Sequence, residues 1–285
     1  MKKKLNCSIL IVTHNRPQQL LRCVQSILKL EAIPSEILIA YSSFTDINEV
    51  RSLKGIRFFL SENSIPVKRN LLISNARQDI CIFIDDDVCL AMQKLSSILN
   101  IYEKNKQIAI IGGICFPIKK NIISQYIFNI FYQRYIFKKS KFINTDFCPT
   151  MLFSFKKSLL IKNNIFFDEQ FLALEDIDLC YQTTSKGYLI FIYKDFFGFH
   201  EYRITLKAFI SSFNNYFKYI NLLFDKHKID TFMVKKYKEK KFVQFIIYFF
   251  SNVLKKRNMT KFVFYNIILS FIYELLLVKN IKTMS

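Results

Sequence analysis

Three consecutive carboxylates, Asp85, Asp86 and Asp87, directly follow the apolar run Ile80–Ile84 (ICIFI). Like charges so close repel one another unless water or a cation neutralises them. Mg²⁺ and Mn²⁺ take oxygen ligands and are commonly shared between one or two carboxylates and substrate phosphates, so a divalent cation is a natural partner for the group. An exposed acidic turn would have the same composition. A second acidic group, Glu175-Asp176 in the stretch LEDIDL, stands at the start of a predicted helix, where free N–H groups and the helix dipole favour ionised carboxylates. An Asp there either caps the helix or acts as a base. His200 follows the turn FFGF and is one of only three histidines, so it is either a further metal ligand or a structural ring.

The elements that must position these side chains alternate along the chain. Residues 8–12 (SILIV) form a short continuous apolar run, as expected of a parallel strand buried on both faces. Pro17 opens a helix at the position where a missing N–H costs nothing, and Leu20, Leu21, Val24, Ile27 and Leu28 recur at helical spacing. Strands are predicted over residues 36–41, Ile56–Leu60, Ile80–Ile84, 107–112 and 188–193, with helices over 66–76 and over 176–186, the last stopped by Gly187. This pattern predicts an α/β fold with a mostly parallel sheet flanked by helices, in which ligands bind at the carboxyl ends of the strands. The three aspartates sit at such an end.

Six segments occur in a telling order: SILIVTHNRP, EILIAY, PVKRN, ICIFIDDD, FFDEQFLALEDIDLCYQTTSKGYLIFIY and FHEYR. Over about residues 7–203 the chain thereby resembles the family 2 glycosyltransferases of the GT-A fold, a Rossmann-like α/β architecture. The resemblance implies an inverting enzyme that moves a sugar from a nucleotide-diphosphate sugar to a hydroxyl of a glycan or lipid-linked acceptor, with Mn²⁺ or Mg²⁺ as cofactor, in the synthesis of surface polysaccharide or glycoconjugate. Carried over by position, it assigns the nucleotide-sugar contacts to Thr13, Asn15, Arg16, Tyr41, Arg69, Asp85 and Asp86, with Arg69-Asn70 near the diphosphate. It assigns the metal to Asp85, Asp87 and His200, and the general base to Asp176.

The chain departs from the family after the second strand, where one or two acids are usual and this sequence has Tyr41-Ser42-Ser43-Phe44-Thr45-Asp46. Tyr41 either stacks on the nucleobase or packs, and Asp46 is as consistent with a turn as with binding. Lost acids at this position also leave open a catalytically inactive relative. A sugar nucleotidyltransferase, with a related fold and aspartates, would need a Gly-rich phosphate loop where this chain has Thr13-His14-Asn15-Arg16-Pro17, and the whole sequence holds five glycines.

Lys and Arg number 42 against 22 acids, a net charge of +20, which suits phosphorylated substrates or anionic lipid as well as nucleic acid. No nucleic-acid module is recognisable, so no nucleic-acid partner is expected. A codon-biased genome would produce the same excess. Seven scattered cysteines, without metal-knuckle or redox spacing, indicate reduced thiols and a cytoplasmic setting. The basic start followed by an apolar run imitates a signal peptide, but Asn6 interrupts it and it reads as the first strand.

Residues 122–137 place Gln125, Asn129 and Gln133 on one helical face and Ile123, Ile127, Ile130 and Phe131 on the other. This predicts an amphipathic helix that meets a lipid-linked acceptor or membrane, or else packs on the core. A domain boundary is expected near Arg203, dividing a catalytic domain of residues 1–203 from a basic, aromatic-rich helical extension of residues 204–285. The apolar stretches 242–254 and 262–278 are shorter than the ~20 residues a bilayer span takes. With the neighbouring Lys-rich runs they suit helices lying on the inner face of a membrane, or packing on the catalytic domain or in a dimer.

Overall fold

The structure is a computed structural model that describes residues 2–92, 95–202 and 205–228. Expectations for 242–254 and 262–278 lie outside the described residues. The chain divides into two compact units, one of residues 1–119 with 127–202 and the other of residues 120–126 with the chain from 203 onward.

The first unit opens with β1 (Lys3–Val12), α1 (Pro17–Leu28), β2 (Ala32–Tyr41), the short α2 (Phe44–Ile47), β3 (Ile56–Leu60), α3 (Ile65–Asn75) and β4 (Ile80–Ile84). It continues through β5 (Val88–Leu90), α4 (Ser96–Lys104), β6 (Ile108–Pro117), α5 (Ile122–Ile136), which begins in the second unit, and β7 (Phe142–Thr145). It ends with β8 (Leu152–Lys156), α6 (Lys157–Lys162), α7 (Glu175–Ser185) and β9 (Leu189–His200). In the second unit α8 (Leu206–His227) is capped by Thr205, whose side chain accepts the Ala208 N–H.

The strands form one sheet in the order β3-β2-β1-β4-β8-β6-β9-β5, with β7 paired to β9. The predicted parallel arrangement holds for β3, β2, β1 and β4, and again for β6 with β9. Pairings of β8 with β4 and β6, and of β5 and β7 with β9, are antiparallel, so the far half of the sheet is mixed. The register aligns Val12 with Ala40, Tyr41 with Leu60 and Leu10 with Phe83, which brings the carboxyl ends of β1, β2, β3 and β4 to one edge. The core is continuous along β1, β2, β4 and β6, whose central Ile, Leu and Phe side chains are buried.

The helix over α5 buries a different stripe from the one predicted. Phe128 stacks on Phe116, while Tyr132 and Tyr135 are buried, and Ile130 is 46% and Phe137 75% exposed. Ten of the 15 positions of this helix are apolar or aromatic and they fall on every side of it, so the polar Gln125, Asn129 and Gln133 did not identify the face that packs. The tyrosines win because each can bury a ring, and Tyr135 also hydrogen-bonds its hydroxyl, to Thr145 and the Phe147 carbonyl.

Where β6 and β9 shift register, Gly113 lets the two strands close up: a Cβ there would lie 2.8 Å from the Phe196 carbonyl oxygen and 2.7 Å from Leu152 Cδ2. Gly113→Ala is expected to cost ~2 kcal/mol by forcing these atoms apart, lowering the thermal midpoint by ~4–8 °C in a calorimetric melt. An unchanged midpoint would show that the contact relaxes freely.

Candidate active site

Turns at the aligned edge carry the predicted residues. The Asp85 N–H donates to the Met151 carbonyl, and the Val88 N–H closes back on the Asp85 carbonyl, so Asp85, Asp86 and Asp87 form a tight reversal between β4 and β5. Antiparallel pairing of β5 with β9 sets Val88 opposite His200, and the Glu201 N–H donates to the Asp87 carbonyl. Sequence spacing of more than a hundred residues is thereby collapsed into one turn.

Two arginines serve the three aspartates. Arg16 Nη1 lies 2.5 Å from Asp87 Oδ2 and 3.2 Å from Asp86 Oδ1. Asp86 Oδ2 also accepts the Thr13 hydroxyl at 2.8 Å. Arg69, only 3% exposed, places Nη2 3.4 Å from Asp85 Oδ1 and Nη1 2.7 Å from Glu175 Oε1. Its guanidinium lies 5.1 Å from the Phe167 ring centre and 5.7 Å from that of Phe83, which holds it rigidly. Arg69 thus ties the triple-aspartate turn to the Glu175-Asp176 helix start.

His200 Nε2 lies 3.0 Å from Asp87 Oδ1, a charge-pair distance, yet no aligned hydrogen bond reaches that oxygen, and both Asp87 Oδ1 and His200 Nδ1 are buried without hydrogen-bond partners. Asp85, expected beside them as a ligand, is turned to Arg69. Among the described residues no three His, Cys, Asp or Glu side chains form a ready coordination shell. Chemically the set nevertheless fits a divalent ion: carboxylate oxygens, one imidazole, and a buried carboxylate oxygen with a spare lone pair suit Mn²⁺ well.

The loop after β1 is fastened by Asp46, in the turn role left open for it, and by Lys68, to which the sequence assigned no role. Asn15, in the left-handed conformation that Asn tolerates, donates its N–H to Asp46 Oδ1 at 2.7 Å, and Asp46 Oδ2 accepts the Ser42 and Ser43 N–H groups. Asp46 is fully buried, so it is the staple between the β1 and β2 loops. Lys68, in PVKRN, is also buried, and its Nζ donates to the Thr13 carbonyl at 2.7 Å. A Lys so close to Arg69 in sequence gave no signal that it would point beneath the loop.

On the nucleotide side Tyr41 takes the packed alternative, and Asn70 turns to the backbone. Tyr41 is buried against Phe44, and the aromatic surface at this edge belongs to Phe44, which is 59% exposed. Asn70 spends its amide on the backbone of Phe167, donating to its carbonyl and accepting its N–H, and so braces the FFDEQF segment instead of facing the acids. Thr13 is buried with its hydroxyl committed to Asp86, while Asn15 and Arg16 remain at the surface.

Burial and mutual repulsion set the proton affinities. Burial, followed by the charge of Asp87, pushes Asp86 up to about 7 despite Arg16 and Thr13. Burial, then Glu175, raises Asp176 to about 7 against the pull of Arg69. Burial also lifts Asp85, with Arg69 opposing. For Asp87 burial is outweighed by His200 and Arg16, which hold it below its ordinary value. Lys68 is lowered by burial, against the pull of Asp46 and Asp86. The site therefore pairs an ionised carboxylate with one poised near neutrality, as acid and base roles require.

The glycosyl transferase family 2 model matches residues 8–163. No curated protein matches the chain. Among solved structures, a crystal structure of GalNAc-T7 with UDP, GalNAc and Mn²⁺ is similar at 16% identity and a TM-score of 0.57, over 70% of this chain and 44% of that one. A crystal structure of S. aureus TarS residues 1–349 is similar at 14% identity and a TM-score of 0.56, over 77% of this chain and 64% of that one. The chain thus spans less than two thirds of either relative, and the likeness is one of fold.

Asp176 holds its proton more tightly folded than unfolded, about 7 against an ordinary 3.8. Its contribution to stability is present below pH ~4 and is lost as pH rises through about 7. Without metal or nucleotide, Asp176→Asn is expected to melt ~3 °C above the wild type at pH 8 and at the same temperature at pH 4. Equal midpoints at pH 8 would mean that Asp176 carries no such strain.

Proposed function

The chain belongs to glycosyl transferase family 2, and from that premise we propose that it transfers a sugar from a nucleotide-diphosphate donor to a hydroxyl of a glycan or lipid-linked acceptor, with inversion at the anomeric carbon. The observation that carries this reading is the Arg69 bridge, which joins the acids of the donor side, at Asp85, to the helix start that presents Asp176.

Asp85, Asp87 and His200 would hold Mn²⁺ or Mg²⁺, which when bound supplies positive charge to the leaving diphosphate. Thr13, Asn15 and Arg16 form the loop that meets the nucleotide, with Asp86 locked beneath it by the Thr13 hydroxyl. Exposed Phe44 offers the nucleobase a ring to stack on beside buried Tyr41. Arg69 compensates charge at the diphosphate from its fixed place between Phe83 and Phe167. Asp176, poised near neutrality, accepts the acceptor's hydroxyl proton as that oxygen forms its bond to the anomeric carbon. The bond from that carbon to the diphosphate breaks at the same time, its electron pair leaving with the diphosphate, so no covalent sugar intermediate forms.

The neighbour solved with UDP, GalNAc and Mn²⁺ supports a nucleotide donor and a divalent cation as the ligand classes to test. We assign catalysis to residues 1–203 and acceptor or membrane contact to residues 204–285, whose basic and aromatic composition suits the cytoplasmic face of a membrane. Among the described residues no helix is long and apolar enough to cross a membrane.

Purified protein titrated calorimetrically with UDP, GDP, CDP and dTDP sugars is expected to bind one nucleotide class only with Mn²⁺ or Mg²⁺ present. Asp87→Ala should abolish that binding. With the donor so identified and an acceptor found, Asp176→Asn should bind the donor normally yet lower kcat by ~10²–10⁴-fold. Donor binding indifferent to EDTA would sink the metal assignment, and full turnover by Asp176→Asn would sink the base.

A further inference from the structure

Two arginines neutralise the triple-aspartate turn, and they are held in contrasting ways. Arg69 is 3% exposed, gripped by two acids and flanked by two aromatic rings. The Arg16 side chain is 41% exposed, and among the described residues its guanidinium is held through one nitrogen only, Nη1, by Asp86 and Asp87. Its other two nitrogens make no hydrogen bond among the described residues. The first arginine is a fixture of the fold, while the second is a counter-ion on a flexible arm.

That arm holds one oxygen of the carboxylate whose other oxygen is open to a divalent cation. Asp87 Oδ2 is occupied by Arg16, whereas Asp87 Oδ1, beside His200, has no hydrogen-bond partner. A guanidinium and a divalent ion cannot share one carboxylate cheaply, since like charges ~4 Å apart repel by several kcal/mol at the effective dielectric of a protein surface. Both carboxylates are buried, so the Arg16 charge can leave only if another takes its place, which a divalent ion would do, and the 41% exposure of its side chain leaves the guanidinium room to swing outward. We propose that Arg16 is a resident stand-in for the cation: it neutralises Asp87 until the metal arrives, is displaced by it, and then pairs with the donor's diphosphate.

The consequence is a coupling between two ligands through one side chain, and it rests on the metal site assigned above. While Arg16 holds Asp87, metal alone binds weakly. A diphosphate gives the displaced guanidinium a new partner, with the forked geometry that arginine and phosphate share, so metal and diphosphate favour each other. Linkage requires that each raises the affinity of the other by the same factor.

Mn²⁺ retained by the full chain in equilibrium dialysis, with and without inorganic pyrophosphate and with protein-free solutions giving the Mn²⁺–pyrophosphate background, separates the contributions. Arg16→Gln is expected to bind Mn²⁺ alone ~10-fold more tightly than the wild type, and to lose most of the enhancement that pyrophosphate gives. Arg16→Lys, which keeps a charge without the fork, should fall between, and it serves if the glutamine variant fails a melting check. Asp87→Asn should abolish binding in every background. If the wild type binds Mn²⁺ through Asp87 and Arg16→Gln binds it no more tightly, the stand-in role is wrong and the metal site stands. If neither binds Mn²⁺, both fall.

Discussion

Three aspartates at the end of a buried strand create a demand for positive charge that the rest of the site is built to meet. Burial alone would drive all of them toward protonation, and their mutual repulsion adds to it. The compensating groups arrive from separate elements: Arg16 at the start of α1, Arg69 on α3 and His200 at the end of β9. The outcome is unequal. Asp87 ends below its ordinary proton affinity and Asp86 well above it, because His200 and Arg16 converge on Asp87 while Asp86 has only a share of Arg16 and a hydroxyl.

The same demand explains features that look structural when taken singly. Lys68 is a buried ammonium beneath the Thr13 carbonyl, within reach of the fields of Asp46 and Asp86. Asp46 is a buried carboxylate stabilised by three backbone N–H groups, and it fixes the loop from which Arg16 reaches. Leu174, at the N-cap of α7, takes the left-handed conformation, uncommon for a residue with a branched apolar side chain, immediately before Glu175 and Asp176. Strain, buried acids and a buried amine thus accompany the candidate site, and such features commonly trade stability for function.

The mixed half of the sheet has a purpose in this arrangement. The four parallel strands β1, β2, β3 and β4 bring only their own carboxyl ends together. By running antiparallel between β4 and β6, β8 lets its preceding residue Met151 accept the Asp85 N–H, and the return of β9 beside β5 delivers His200 to Asp87. Identity of 14–16% to structures of the same fold is compatible with this, since backbone register at one edge is what the site requires of the framework.

The parallel start of the sheet was legible in the chain, because continuous apolar runs of Ile, Leu and Val are suited to burial on both faces. The sequence also placed the acids at strand and helix ends, and Pro17 and Gly187 marked a helix start and a helix stop. It could not say which counter-charge each acid would take, since Arg16, Arg69 and His200 lie 70, 16 and 113 residues from their carboxylates, distances over which only the register of the sheet decides proximity. The face it proposed for α5 was not the one that packs, because apolar residues fall on every side of that helix, and it did not foresee that Lys68 and Asn70 would turn inward on either side of Arg69. Local pattern encodes which elements form. Contacts among charged side chains depend on where those elements meet, and that was settled only when the sheet closed its edge.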